Sequence, residues 1–215
     1  MSETYAPPET PLDILHADHE VLVVNKPPGL LSVPGKGEHL ADCLIARLAT
    51  AYPEVLLVHR LDRDTSGVMV FAVSPHAQRH LGLQFEKRRV RKVYVARVAG
   101  VVKDDTGKVD LPLAVDWPNR PKQHVDHQNG RAAVTDWRVV RRATDETRIR
   151  LYPKTGRSHQ LRVHMREIGH PILGDPFYAT GAARAHPRLM LHAESLRFRH
   201  PDGGKGMTFS VKPAF

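Results

Sequence analysis

The sequence predicts an α+β fold built on a mixed, mainly antiparallel sheet flanked by helices and loops. Three observations carry this expectation. Segments with strand patterning outnumber helical ones. Several of them are joined by short turns. The strict strand–helix–strand alternation of a parallel α/β fold is absent.

The elements follow in order. Residues 1–12, polar and proline-rich, are expected to form a disordered tail, and residues 13–215 a single domain. Residues 21–24 form a strand, closed by Asn25-Lys26-Pro27-Pro28-Gly29, where two prolines and a glycine enforce a bend. Leu40, Leu44 and Leu48 fall at helical spacing, and Tyr52-Pro53 ends that helix. Residues 55–58 and 68–73 read as strands by their β-branched content, with a polar turn between them. Ser74-Pro75 opens a helix, with Ser as N-cap and Pro in the first turn, and Leu81 and Phe85 mark its buried face. Residues 92–98 alternate as a strand, placing Tyr94 and Ala96 on one face. Residues 100–131 hold Gly, Pro, Asp and Asn at the density of a long excursion with short strands. Strands at 134–140 and 148–152 and a turn at 154–157 come next. A helix is expected over 159–168 with Leu161, Met165 and Ile168 inward, then closing strands at 189–198 and 207–212. No internal repeat or low-complexity linker is present.

Composition narrows the function. The chain has 215 residues, 41% hydrophobic and 26% charged, which is enough to bury a core. No apolar run approaches the ~20 residues that span a bilayer, and the N-terminus lacks the basic-then-apolar pattern of a signal peptide. A soluble cytoplasmic protein is expected. The single cysteine, Cys43, makes an intramolecular disulfide impossible and reads as a small buried hydrophobe. Thirty-two Lys and Arg against 23 Asp and Glu give a net charge of +9, which favours a polyanionic partner. Basic clusters at 87–92 and 138–142, and Arg157 with Arg162, point the same way. Among 14 histidines, His76 and His80, and His159 and His164, have spacings that invite a metal check. Neither pair comes with the cysteines or glutamate of a zinc site, so no metal is expected.

Four short stretches stand out. His59-Arg60-Leu61-Asp62-Arg63-Asp64-Thr65-Ser66-Gly67 places carboxylates amid arginine in a turn held between two strands, where reactive groups are commonly placed. Lys26-Pro27-Pro28-Gly29 puts a cation at a rigid bend. Lys92-Val93-Tyr94 puts an aromatic one strand-step from a cation. Lys154-Thr155-Gly156-Arg157-Ser158-His159-Gln160-Leu161-Arg162 packs donors around a glycine turn. Each alone is ordinary: an ion pair, a loop, core packing, a surface turn.

In this order they resemble the RluA family of RNA pseudouridine synthases. The resemblance runs from about Asn25 to the C-terminus, and is nearest to the family's short type, which acts on loops of both 23S rRNA and tRNA. Asp116-Trp117-Pro118-Asn119-Arg120-Pro121-Lys122-Gln123 and Gly169-His170-Pro171-Ile172-Leu173-Gly174-Asp175 extend it. Longer relatives carry an S4-like RNA-binding domain first. Only 25 residues precede Lys26, so extra RNA affinity is expected from the catalytic domain's own basic surface.

The resemblance implies a pseudouridine synthase fold and the conversion of uridine in RNA to its C-glycoside isomer, with no metal, nucleotide or other cofactor. It implies RNA as partner, a 23S rRNA or tRNA stem-loop, and no obligate protein partner. It makes Asp62 the catalytic carboxylate. Glycosidic cleavage calls for a carboxylate beside the anomeric carbon. Asp62 can serve as nucleophile towards C1′ or the base, or as the base that removes a ribose proton. The motif sets the reactive Asp directly after Arg-Leu, so Asp64 reads as a turn-former bonding local backbone. By the same resemblance Arg162 pairs with that carboxylate and keeps it ionised. Tyr94 stacks on the target base, worth ~1–3 kcal/mol, and is placed to take the C5 proton. Arg60 fills the space left by the flipped nucleotide or holds it. Lys92, Arg157 and His159 hold phosphates. Residues 117–123 are a candidate contact to the RNA loop.

Two other classes compete. A non-catalytic RNA binder has no use for a buried carboxylate facing a polyanion. A sugar hydrolase using Asp62 and Asp64 as its pair fits the basic charge poorly.

Overall fold

The computed structural model describes residues 5–215. The elements run β1 (Asp13–Ala17), β2 (Val21–Lys26), α1 (Leu44–Ala49), β3 (Leu56–Leu57), β4 (Ser66–Ala72), α2 (Pro75–Glu86) and β5 (Arg91–Ala99). Then come β6 (Thr106–Asp110), β7 (Leu113–Val115), β8 (Gln123–Val125), β9 (Val134–Arg142) and β10 (Glu146–Pro153). The chain closes with α3 (Gln160–Glu167), α4 (Gly181–Arg184), β11 (Leu191–Arg199) and β12 (Gly206–Ser210). The fold class is α+β, as the sequence predicts. By internal contacts the chain divides into two compact units. One takes the chain up to Lys92 with Ala193–Ala214, the other Val93–His192 with Phe215.

In the first unit the strand order is β1-β2-β4-β11, with β3 on β4 and β12 on β11. Val21, Leu22, Val23 and Val24 of β2 are at most 1% exposed, and every residue of β4 is buried. These are continuous apolar runs because both faces of the strands are covered. Val21, Val23, Val68 and Val70 pack with Ala77 and Leu81 of α2 and with Leu196 and Phe198 of β11. Each such side chain contributes about 1.5–3 kcal/mol by burial. The α2 start follows its sequence signal: Ser74 Oγ accepts from Ala77 N at 3.0 Å, and Pro75 occupies the first turn.

In the second unit the order is β5-β10-β9-β6, all antiparallel, with β7 and β8 forming a separate ribbon. Its core gathers Ala96, Val98, Ile149, Leu151, Leu161, Met165, Ile172 and Leu189.

Several expectations change. The tail expected over residues 1–12 lies outside the described residues at 1–4. Over 5–12 it has no helix or strand, yet it is tied down: Tyr5 Oη donates to Asp42 O (2.9 Å) and accepts from Leu31 N (3.1 Å), and Arg47 Nη1 donates to Pro8 O (2.7 Å). The helix expected from Leu40 begins only at Leu44, after a separate 3₁₀ turn at Glu38–Leu40, and Cys43 beside it is buried. The strand expected over 55–58 pairs only at Leu56 and Leu57, because the chain then leaves the sheet for the Asp62 loop. In α3 burial is not confined to one apolar face: Gln160 through Met165 are all buried, with Ile168 just beyond the helix half-buried. The sequence reading missed β1, which is half-buried and broken by a register shift at Ile14/His16, and the four-residue α4.

Gly67 shows how tightly β4 meets β11. Its φ is +116°, and a Cβ there would lie 2.3 Å from Ala193 O and 2.6 Å from Ala193 N. Gly67→Ala is expected to cost at least ~2 kcal/mol in urea unfolding, from the left-handed backbone and the overlap. Gly82→Ala on α2, where nothing lies within 4 Å, is expected to stabilise by ~0.5–1 kcal/mol. Equal midpoints for the two variants would contradict this packing.

Candidate active site

The Asp62 loop leaves β3 and returns as β4. Its backbone is held on both sides of Asp62. Ser32 Oγ donates to Leu61 O (2.7 Å) and accepts from Leu61 N (3.2 Å), so one buried hydroxyl satisfies both main-chain groups. Thr65 N donates to Asp62 O (3.1 Å) and closes the turn. The Lys26 ammonium, 0% exposed, donates to the carbonyls of Pro27 (2.8 Å), Leu30 (2.7 Å) and Arg63 (2.8 Å). An ammonium has three N–H donors, and these three carbonyls match them, which is how a buried charge is made tolerable. The Lys-Pro-Pro-Gly bend thus reaches the residue after Asp62. Sequence reasoning gave Lys26 and Ser32 no such task.

Asp62 is half-buried and Arg60 exposed on the same loop. Asp64 turns to Arg63 instead of the backbone: Nε meets Oδ1 at 2.8 Å and Nη2 meets Oδ2 at 3.2 Å. Its expected role as a backbone-bonding turn residue is therefore corrected to a side-chain ion pair with its neighbour. His59 stacks on Phe85 at 4.6 Å, and its Nε2 accepts from Val70 N at 3.1 Å. Burial, and behind it the positive charge of Lys92, push His59 down to about 3, so the ring is neutral with its proton on Nδ1. Lys92 itself is pushed down to about 8 by burial.

In the second unit Tyr94 is half-buried on β5, opposite Leu151 of β10. Arg162 is 2% exposed and makes a two-pronged contact with Asp175, Nε to Oδ2 at 2.7 Å and Nη2 to Oδ1 at 2.8 Å. Asp175 Oδ1 also accepts from Phe177 N (2.9 Å) and Tyr178 N (3.1 Å). The same guanidinium lies 5.2 Å from the ring centres of both Phe177 and Tyr178. A buried pair this fully hydrogen-bonded fixes where the guanidinium points. Asp175 stood in the sequence as part of a supporting stretch, with no signal that it grips Arg162.

His159 adopts a left-handed backbone, φ 51°, at the start of α3, and stacks on Phe177 at 5.7 Å. Its Nδ1 meets Tyr178 Oη at 2.7 Å, while Gln123 N donates to the same oxygen at 2.8 Å. The tyrosine oxygen thus accepts from Gln123 N and pairs with His159 Nδ1 at once. Tyr178 thereby ties residues 117–123 to His159. That loop carries Trp117, 67% exposed, with the Arg120 guanidinium 4.8 Å over its ring. Arg157 is half-buried and donates from Nε to Ala132 O at 3.2 Å. Gln160 braces the turn before it: Oε1 accepts from Thr155 Oγ1 (2.7 Å) and Arg157 N (3.0 Å), and Nε2 donates to Val134 O and Thr135 Oγ1, each at 3.0 Å.

His164 is fully buried between Thr135 Oγ1 (2.9 Å) and Leu111 O (3.1 Å), and burial pushes it below its ordinary value. His76 and His80 stack 6.2 Å apart on α2. Among the described residues, no group of three or more His, Cys, Asp or Glu is arranged to hold a metal ion, and no helix is long and apolar enough to cross a membrane.

Asp175→Asn is expected to cost about 3–5 kcal/mol in denaturant unfolding, because it removes the carboxylate that grips the buried Arg162 guanidinium. Asp202→Asn, on an exposed side chain, is expected to cost under ~0.5 kcal/mol. A small loss at Asp175 would show that the pair is not structural.

Comparisons with known proteins identify the family. The profile of the family described as RNA pseudouridylate synthase matches residues 20–167. The dual-specificity RNA pseudouridine synthase RluA of Escherichia coli K12 is 53% identical over 216 residues, 99% of each chain. The protein of the same name from Yersinia pestis is 49% identical over 204 residues, 94% of this chain and 99% of that one. The solved structure of human RNA pseudouridylate synthase domain containing 1 superposes with a TM-score of 0.81 at 27% identity, covering 98% of this chain and 87% of that one. The chain belongs to the RNA pseudouridylate synthase family and is an RNA-modifying isomerase.

Proposed function

We propose that this enzyme isomerises uridines in stem-loops of 23S rRNA and tRNA, with Asp62 as its catalytic carboxylate. Residues 13–215 serve as its catalytic domain, and it works in the cytoplasm. The N1–C1′ bond breaks, C5 bonds to C1′, and the proton lost from C5 is balanced by one gained at N1. The observation that carries the assignment is the Asp62 loop. Among the carboxylates of that loop, Asp62 follows Arg-Leu and has its backbone held from both sides, while Asp64 is spent on Arg63. A fixed backbone supports a carboxylate that must meet one atom of a flipped nucleotide.

The other roles follow the motif. Arg162 is the guanidinium that the motif assigns to the catalytic carboxylate, a role that suits a side chain oriented by Asp175. Tyr94 stacks on the base and receives the C5 proton. Arg60, exposed on the catalytic loop, stands in for the flipped nucleotide. Lys92, Arg157 and His159 hold phosphates. The relatives' shared name, a dual-specificity synthase, supports two RNA substrates.

On transcribed 23S and tRNA stem-loops, Asp62→Asn is expected to form no pseudouridine while binding RNA, and Asp64→Asn to keep most activity. A dead Asp64→Asn with an active Asp62→Asn overturns the assignment. Tyr94→Phe separates stacking from proton transfer: binding survives, and turnover falls about 100-fold if the hydroxyl takes the proton.

Lys92 gives a pH signature. Its charge is present below about 8 and lost above it. RNA affinity is expected to fall as pH rises through about 8, and Lys92→Arg, charged throughout, to flatten that fall. An unchanged profile in Lys92→Arg removes Lys92 from the phosphate contacts.

A further inference from the structure

The basic run at 87–92 has a structural counterpart far along the chain. After α2 the backbone reverses within two residues. Arg88 takes a left-handed φ of 55°, and Arg89 N donates to Gln84 O at 2.8 Å. Val90 turns into the core at 7% exposure, so Arg89 and Arg91 flank it on the outside. On β11 the same alternation buries Leu196 and Phe198 and exposes Arg197 and Arg199. These two arginine pairs line one groove of about 350 Å³, together with Phe198 and Gly206.

The groove is built, not incidental. Gln84, only 6% exposed, clamps its two walls: Nε2 donates to Arg199 O and Oε1 accepts from Arg199 N, each at 2.8 Å. Arg199 Nη1 is further set by Gly204 O at 3.1 Å. Opposite Arg199 on β12 stands Gly206, which has no side chain to fill the space.

The charges are unmatched. Among the described residues, none of these four guanidiniums forms an ion pair with a carboxylate, and no acidic residue lines the groove. Arginine is charged at every physiological pH, so four of them in one groove repel one another. Such an arrangement is relieved by an anionic ligand with several charges. Residues two apart on a strand stand about 7 Å apart, so Arg197 and Arg199 offer separate forks to separate anions. Strand alternation also turns Arg91 to the face opposite Lys92, so the groove is not an extension of the Lys92 contact.

We propose that this groove is a second RNA contact, which holds backbone phosphates of the substrate's stem away from the target uridine. It rests on the reading of the chain as an enzyme acting on RNA stem-loops, and it locates part of the affinity that the basic composition implies.

The test uses the full chain with Arg197→Gln/Arg199→Gln, and the opposite wall as Arg89→Gln/Arg91→Gln. Binding and turnover are measured on a long-stem substrate at graded salt. Either pair is expected to raise KM roughly tenfold at physiological salt and to lower the slope of log affinity against log salt by about 1.4–1.8, with kcat unchanged at saturating RNA. Arg197→Lys/Arg199→Lys is expected to recover most of the slope. On an RNA trimmed to the loop and its closing pairs, wild type and variants converge. A wild type that leaves both RNAs unmodified refutes the RNA-isomerase reading. A wild type that makes pseudouridine, beside folded variants with its KM and salt slope, refutes the groove alone. Thermal melting checks folding, and the second wall decides should one pair unfold.

Discussion

The structure turns on two buried side chains that hold main chain: Lys26 on the Arg63 carbonyl and Ser32 on both backbone groups of Leu61. Asp62 sits between these anchors. Ordering a residue's backbone costs roughly 1–2 kcal/mol. Here that cost is met on folding, by the core beneath β2 and β4, before any RNA arrives. The continuous apolar burial of β2 and β4 is what carries Lys26 and Ser66 to the loop, and Gly67 lets β11 press against it.

The second unit solves a different problem, which is to bury polar groups on a short helix. Five hydrogen-bonding side chains there, Gln160, Arg162, His164, Thr135 and Asp175, are all under 5% exposed. Each is satisfied by named partners. Such networks are high-stakes: complete, they fix side-chain direction, and broken, they leave uncompensated charge. The direction of Arg162 and the placing of the His159 ring are both set by side-chain partners, Asp175 and Tyr178.

Much of this was legible in the sequence where local chemistry decides. Ser74-Pro75 announced α2, the β-branched runs announced β2 and β4, and the ordered motifs announced the family. What escaped depends on distant partners. Asp175 grips Arg162 from 13 residues away, and Gln84 clamps Arg199 across 115. No periodicity encodes such pairs. β1 escaped because its pattern is half-polar and broken by a register shift, and α4 because one helical turn has too few positions to show a period. The apolar face of α3 was read as it stands, with Leu161 and Met165 in the core and Ile168 packed against it, but apolar spacing could not report the polar residues of that helix buried by partners. Asp64 was read as a turn residue bonding local backbone, and its actual partner, the neighbouring Arg63 side chain, is one that sequence spacing does not reveal.

The central claim is that a pre-fixed backbone aims Asp62, and Ser32 tests it most directly. Ser32 is 3% exposed and its hydroxyl is engaged with the Leu61 backbone, so an effect of its loss on turnover is expected to pass through the loop. Single-turnover kinetics of Ser32→Ala, on protein verified as folded, should show the chemical step slowed at least about tenfold with RNA affinity intact. A chemical step at the wild-type rate would contradict the account.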